Sequence, residues 1–69
     1  MTDVGDIIDA LHRSGWTVGD SAFVGRAAEK VWVVTGANGE NRIRSEGLTE
    51  LEAWQGALSQ AQGLGMLKR

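Results

Sequence analysis

The sequence predicts a small α+β domain in which two helices flank a three-stranded antiparallel sheet, in the order α-β-β-β-α. Apolar residues recur at helical spacing near both ends of the chain, and segments rich in β-branched and aromatic residues lie between them. The pair Asn38-Gly39, the strongest short hairpin signal, separates two of these segments. We expect a meander of strands with both helices packed on one face of the sheet, as a single domain covering residues 1–69.

The first helix is expected to follow Thr2 or Asp3, since either side chain can cap it, and to end before Gly15. Its apolar positions are spaced i, i+3, i+4 and i+7, which places them on one face of a helix. These positions are Val4, Ile7, Ile8 and Leu11.

The first strand is expected within residues 16–24. Gly19 and Asp20 interrupt its apolar residues, so the segment is interpreted either as one strand with a bulge or as two short strands. Residues 25–29 are expected to form a turn. The second strand is predicted over Lys30–Thr35 and the third over Asn41–Glu46.

The expected hairpin assigns the side chains of its two strands to opposite faces of the sheet. If Asn38-Gly39 forms the tip, the face toward the core carries the pairs Val34–Ile43 and Trp32–Ser45. The other face then carries the pairs Val33–Arg44, Thr35–Arg42 and Val31–Glu46.

The second helix is predicted to begin at a capping box, with Thr49 as N-cap and Glu52 three residues later. Gly63 and Gly65 are expected to end it near Gln62. Its apolar stripe comprises Leu51, Trp54, Ala57, Leu58 and Ala61. The apolar residues Leu64, Met66 and Leu67 are expected to form a short tail that folds back on the core.

Composition limits the classes of function that the chain can have. The formal net charge is −2, whereas proteins that bind phosphate backbones normally carry excess positive charge. The chain has no Cys, so disulfides cannot reinforce its small core, and self-association as a homodimer becomes a live hypothesis. The longest apolar run, residues 31–34, is far too short for a membrane span, and no signal peptide is recognised. We therefore expect a soluble cytoplasmic protein.

Residues that could carry chemistry have simpler interpretations. His12 lies near Asp9 and Ser14 in the sequence, and these three residue types could form a nucleophilic triad. A surface contact between His12 and Asp9 is the simpler interpretation. The spacing of Asp3, Asp6 and Asp9 could suggest a metal site, although acids near a helix start are already explained by the helix dipole. The sequence therefore predicts neither an enzyme, nor a metal site, nor a small-molecule cofactor.

Three tryptophans in so short a chain are expected to supply buried area to the core. Trp54 lies in the stripe of the second helix and Trp32 on the core face of the hairpin. For Trp16, a core position is favoured over an exposed binding position.

The order of elements resembles that of the double-stranded-RNA-binding domain over nearly the whole chain. In that family a lysine cluster at the start of the last helix grips phosphates. The corresponding stretch here, Ser45–Glu52, has three glutamates and no basic residue. The resemblance therefore implies the fold, while acids at this place would repel phosphate.

The outward face of the sheet is the strongest candidate for a functional surface. It is expected to present β-branched residues beside arginines: Val31, Val33, Thr35, Arg42 and Arg44. Three interpretations stay open, namely an ordinary amphipathic face, a protein interface, and an anion or nucleic-acid site that also uses Lys30 or Arg26. We expect a small non-catalytic binding or assembly module, self-associating or with a protein partner. Weak nucleic-acid binding through Arg42 and Arg44 is the alternative.

Overall fold

The structure, a computed structural model, describes residues 3–64 and confirms the predicted order of elements. The elements are α1 (Val4–Arg13), β1 (Thr17–Val24), β2 (Lys30–Asn38), β3 (Asn41–Gly47) and α2 (Glu50–Gly63). The strands form one antiparallel sheet in the order β1-β2-β3, which is the expected meander. Of the tail expected to fold back on the core, Leu64 is exposed, and residues 65–67 lie outside the described residues.

Helix α1 begins at a reciprocal cap formed by two aspartates. The Asp3 carboxylate accepts a hydrogen bond from the Asp6 backbone N–H at 2.9 Å, and the Asp6 carboxylate accepts one from the Asp3 N–H at 3.3 Å. These bonds satisfy backbone donors that a helix start leaves without partners. The two acids are thus accounted for by the folding of α1.

Helix α1 ends in a Schellman motif that places Trp16 in the core. Gly15 has a φ of 90°, and its N–H donates to the His12 carbonyl at 3.0 Å. The Trp16 N–H donates to the Leu11 carbonyl at 2.9 Å. This motif brings the residue after the glycine back toward the last turn of the helix. Trp16 is buried, which confirms the core position favoured from the sequence.

Strand β1 is one uninterrupted strand. The expected bulge and the expected break into two short strands near Gly19 and Asp20 are therefore both wrong. Pairing with β2 runs residue by residue from Thr17 opposite Ala37 to Val24 opposite Lys30. Asp20 is accommodated because its carboxylate accepts a hydrogen bond from the Trp54 indole N–H at 3.2 Å. The expected turn over residues 25–29 is confirmed, closed by the Gly25 N–H donating to the Glu29 carbonyl at 2.7 Å.

The register of β2 and β3 differs by two residues from the expected one. Val34 lies opposite Ser45, and Gly36 lies opposite Ile43. The two-residue loop is Gly39-Glu40, not Asn38-Gly39. Since side chains alternate with a period of two, a shift of two leaves every side chain on its predicted face.

Asn38 stays in β2 because its side chain is used elsewhere. Its Nδ2 donates to the Ser14 carbonyl at the end of α1, at 3.0 Å. The loop then begins at Gly39, whose φ of 63° suits the first position of a type II′ turn.

Both helices pack on one face of the sheet and share one core with it. The buried members of this core are Ile7, Leu11, Trp16, Val34, Ile43, Ala53, Trp54, Ala57 and Ala61. The predicted stripe of α2 is confirmed at Trp54, Ala57 and Ala61, with Leu58 half-buried. Leu51 is exposed instead, and Ala53 takes a buried place, because α2 packs closely on the sheet through small residues.

Candidate interaction surface on the outward face of the sheet

One face of the sheet is left uncovered by the helices within residues 3–64. Val34 and Ile43 point into the core, so their neighbours along each strand point to the opposite side. We call this opposite side the open face. Its residues are Thr17, Gly19, Ser21 and Phe23 of β1, Val31, Val33, Thr35 and Ala37 of β2, and Arg42, Arg44 and Glu46 of β3.

All five residues singled out from the sequence lie on the open face, but with different neighbours from those expected. Thr35 lies opposite Arg44 rather than Arg42, and Arg42 lies opposite Ala37. Val33 lies opposite Glu46 rather than Arg44. The expected pairs were wrong because they assumed the hairpin tip at Asn38-Gly39.

Val33 is not the exposed contact residue that the sequence suggested, since only 8% of its surface is accessible. It lies in the central strand, between Ser21 of β1 and Glu46 of β3. Neighbours on both sides, and Val31 and Thr35 along its own strand, cover a small side chain in this position. Val33 therefore belongs to the internal packing of the sheet.

The two arginines of the open face differ in their availability. The Arg44 guanidinium pairs with the Glu46 carboxylate of the same strand at 2.8 Å, and both side chains are largely exposed. An exposed pair of this kind contributes at most about 1 kcal/mol to stability. Arg42 is exposed, and no ion pair joins it to any other residue in the range 3–64. Of these two arginines, Arg42 is thus the one more available to a partner.

Phe23 is the open-face residue that sequence reasoning missed. It is 47% exposed and lies directly opposite the half-buried Val31. We call these two residues the apolar corner. An uninterrupted alternation from Asp20 would have placed Phe23 on this face, but the expected bulge prevented any assignment of faces in β1.

A second polar cluster lies on the other side of the sheet, where α2 begins. The Trp54 indole N–H donates to Asp20, and Lys30 Nζ lies 4.5 Å from the centre of the Trp32 ring. A hydrogen bond to the Asp20 side chain raises the pKa of Glu50 above its ordinary value of 4.5. Desolvation and the Asp20 charge raise this pKa further, while Lys30 opposes them. The contacts of Asp20 join β1 and α2, and the Lys30–Trp32 contact lies within β2, which explains the cluster as a structural feature.

The remaining polar candidates lie apart from the open face. His12 and Asp9 are exposed on α1, and Ser14 is the residue that ends that helix. Residues 3–64 contain no group of three or more His, Cys, Asp or Glu side chains able to hold a metal ion. In the same range, neither helix has the length and apolar character needed to cross a bilayer.

Comparison with known proteins assigns no family to the chain. No protein-family model, no curated protein and no solved structure matches the chain. The similarity to the double-stranded-RNA-binding domain is one of element order, as stated from the sequence.

Proposed function

We propose that the protein is a non-catalytic binding module that docks onto a second protein through its open face. The observation that carries this proposal is the uncovered apolar corner on the same face as the unpaired Arg42. Both helices cover the other face, so the sheet has one side filled and one side available. Aromatic residues and arginines exposed on one face are typical of protein interfaces.

The layout of the open face indicates what a partner must offer. Phe23 and Val31 lie at one end of the sheet and Arg42 at the other, about 20 Å away along the strands at ~3.3 Å per residue. The apolar corner suits an apolar side chain, and Arg42 suits a carboxylate. A protein surface with an apolar anchor and an acidic residue at this spacing fits both.

Nucleic acid is supported less well than protein by the same residues. Arg44 is engaged by Glu46, so its charge is partly neutralised. Glu50 and Glu52 occupy the first turn of α2, where the resembling family carries lysines. A surface that presents one free arginine releases few counterions from a phosphate backbone, and that release dominates such binding.

The test compares open-face variants with a charge-matched control. Arg42→Glu and Val31→Ser change the open face, whereas Arg26→Glu makes the same charge change in the turn between β1 and β2. A partner captured by the wild-type chain is then titrated by calorimetry against each variant. We expect each open-face variant to bind at least about tenfold more weakly, or about 1.4 kcal/mol, with Arg26→Glu unchanged.

Equal affinity of all three variants for the partner would reject the open face as the binding surface. Binding of duplex RNA or DNA at low salt, lost on Arg42→Glu, would favour the alternative function. Val33→Glu is unsuitable for this test, because a buried charge would destabilise the fold itself.

A further inference from the structure

Within residues 3–64, one edge of the sheet is capped by a side chain and the other edge is not. At the β3 edge, Gln60 of α2 accepts a hydrogen bond from the Arg44 N–H at 3.0 Å and donates one to the Arg44 carbonyl at 2.5 Å. The side-chain amide thus occupies the backbone groups that a neighbouring strand would use. For β1, the only hydrogen-bonding strand neighbour within residues 3–64 is β2, and no side chain in that range caps its outer edge.

Strand β1 also lacks most of the features that usually protect an edge. Its eight residues contain no Pro, no Lys and no bulge, and seven of them are exposed. The one charged residue, Asp20, is hydrogen-bonded to Trp54. Long, flat and unprotected edge strands are templates for pairing with another strand.

We propose that β1 pairs antiparallel with β1 of a second copy of this chain, across a two-fold axis at Ser21. In this register Ser21 of one copy faces Ser21 of the other, and Phe23 faces Gly19. Val24 then faces Val18. A two-fold axis makes each of these contacts twice, as in other symmetric dimers.

The side chains of β1 favour this register over its neighbours. A Cβ built at Gly19 meets nothing within 4 Å, so there is open space for the 47% exposed Phe23 of the second copy. Aromatic side chains stabilise sheets when they lie across an edge glycine. Val24, 72% exposed, gains the Val18 side chain as a neighbour.

Alternative registers lose these contacts. An axis at Asp20 would set two carboxylates directly opposite each other, which is destabilising. An axis at Ala22 would set Asp20 against Val24 and leave Gly19 without Phe23. Two residues that lie opposite each other in an antiparallel pair have their side chains on the same face of the sheet. A two-fold axis between two copies of β1 therefore passes beside a residue and not between two consecutive residues.

The resulting dimer has a six-stranded sheet, three strands from each copy, with the two open faces on the same side. It joins two sheet edges and does not involve Arg42. Phe23 takes part both in this dimer and in the apolar corner, so Arg42→Glu is the change that separates the dimer from the proposed function. Pairing of single strands buries less than the ~1,600 Å² of a standard interface, so we expect a weak, concentration-dependent dimer.

Cysteine cross-linking tests the pairing directly, because the natural chain contains no Cys. In the proposed register the two Ser21 Cβ atoms lie roughly 5 Å apart, close enough for a disulfide after small adjustments. Thr17→Cys is the matched control, since Thr17 is exposed on the same face of the same strand. Its two copies lie about 26 Å apart at ~3.3 Å per residue. Under mild oxidation we expect Ser21→Cys to become mainly disulfide-linked dimer and Thr17→Cys to stay mainly monomeric.

Equal cross-linking of Ser21→Cys and Thr17→Cys would overturn the proposal, and faster cross-linking of Ala22→Cys than of Ser21→Cys would overturn its register.

Light scattering adds a measurement of the dimer without a covalent bond. Ser21→Lys places two lysines opposite each other, so this variant should be monomeric at concentrations at which the wild type is dimeric. Ser21→Thr should remain dimeric at those concentrations. Arg42→Glu should leave the dimer intact. Loss of the dimer on Arg42→Glu would instead place self-association on the open face.

Discussion

At the scale of single residues, Asn38 shows how one side chain determines the geometry of two elements. Its hydrogen bond to the Ser14 carbonyl joins β2 to the end of α1 across 24 residues of sequence. Asn38 therefore remains in the strand, and the loop moves to Gly39-Glu40. The Asn-Gly signal predicted a hairpin correctly but not its tip, because local turn preferences contain no information on so distant a partner.

The raised pKa of Glu50 predicts a pH-dependent contribution to stability. A carboxyl whose pKa is higher in the folded chain binds its proton more tightly there. Its contribution is therefore fully present below the unfolded value of 4.5 and is lost as pH rises through the folded pKa. Glu50→Gln keeps a donor for Asp20 at every pH. We expect its free energy of unfolding to exceed that of the wild type increasingly as pH rises above 4.5 and through the raised folded pKa of Glu50.

Urea unfolding followed by tryptophan fluorescence at several pH values measures this difference. Glu40→Gln, which removes a carboxylate from the hairpin loop, controls for the change in net charge. A Glu50→Gln curve parallel to that of the wild type across the whole range would show that the Asp20 contact does not bias protonation.

At the scale of elements, the packing of α2 on β3 depends on the absence of side chains. A Cβ at Gly56 would overlap the Ser45 Oγ, and a Cβ at Gly47 would lie 2.7 Å from the Ala53 nitrogen. These glycines let the helix approach the sheet closely enough for Gln60 to reach the β3 backbone. Helical periodicity predicted the apolar stripe of α2 but placed Leu51 in it, since periodicity cannot show how closely two elements approach.

The close approach predicts a coupling between Gly56 and Ser45. Gly56→Ala gains about 1 kcal/mol of helix propensity but overlaps Ser45, and such overpacking costs about 1–3 kcal/mol. We expect Gly56→Ala to destabilise the wild-type chain and to be tolerated better in a Ser45→Ala background. A double-mutant cycle in urea should give a coupling of about 1 kcal/mol or more.

Gly63→Ala is the matched control for this cycle, because a Cβ at Gly63 meets nothing within 4 Å. It should have a similar effect with and without Ser45→Ala. Additive effects of Gly56→Ala and Ser45→Ala would mean that the helix can move away from the sheet at little cost.

At the scale of the whole molecule, stability depends on one shared core. Ile7 and Leu11 of α1, Trp54 of α2 and Val34 of β2 belong to the same buried cluster. A chain of this size buries only about 60% of the surface that its unfolded form exposes. Within residues 3–64, this one cluster is the core that both helices and the sheet share. The helices and the sheet should therefore unfold together.

Leu11→Ala tests this cooperativity. Leu11 is 0% exposed, and truncation of such a side chain costs about 2–5 kcal/mol, a large part of the stability of a small domain. We expect circular dichroism and tryptophan fluorescence to report one common transition at a much lower urea concentration. Leu48→Ala, at a 65% exposed position, should change the midpoint little. Separate transitions for the two signals would contradict a single core.

The sequence by itself determined the order of elements, the meander and the face on which each hairpin side chain lies. These properties follow from local periodicity, capping and turn chemistry, and face assignment survives a register shift of two residues. The tertiary structure alone decided the hairpin tip, the burial of Val33 and the exposure of Phe23. It also decided the closure of the β3 edge by Gln60 and the open edge of β1. Each of these depends on contacts between elements distant in sequence, which no local pattern contains.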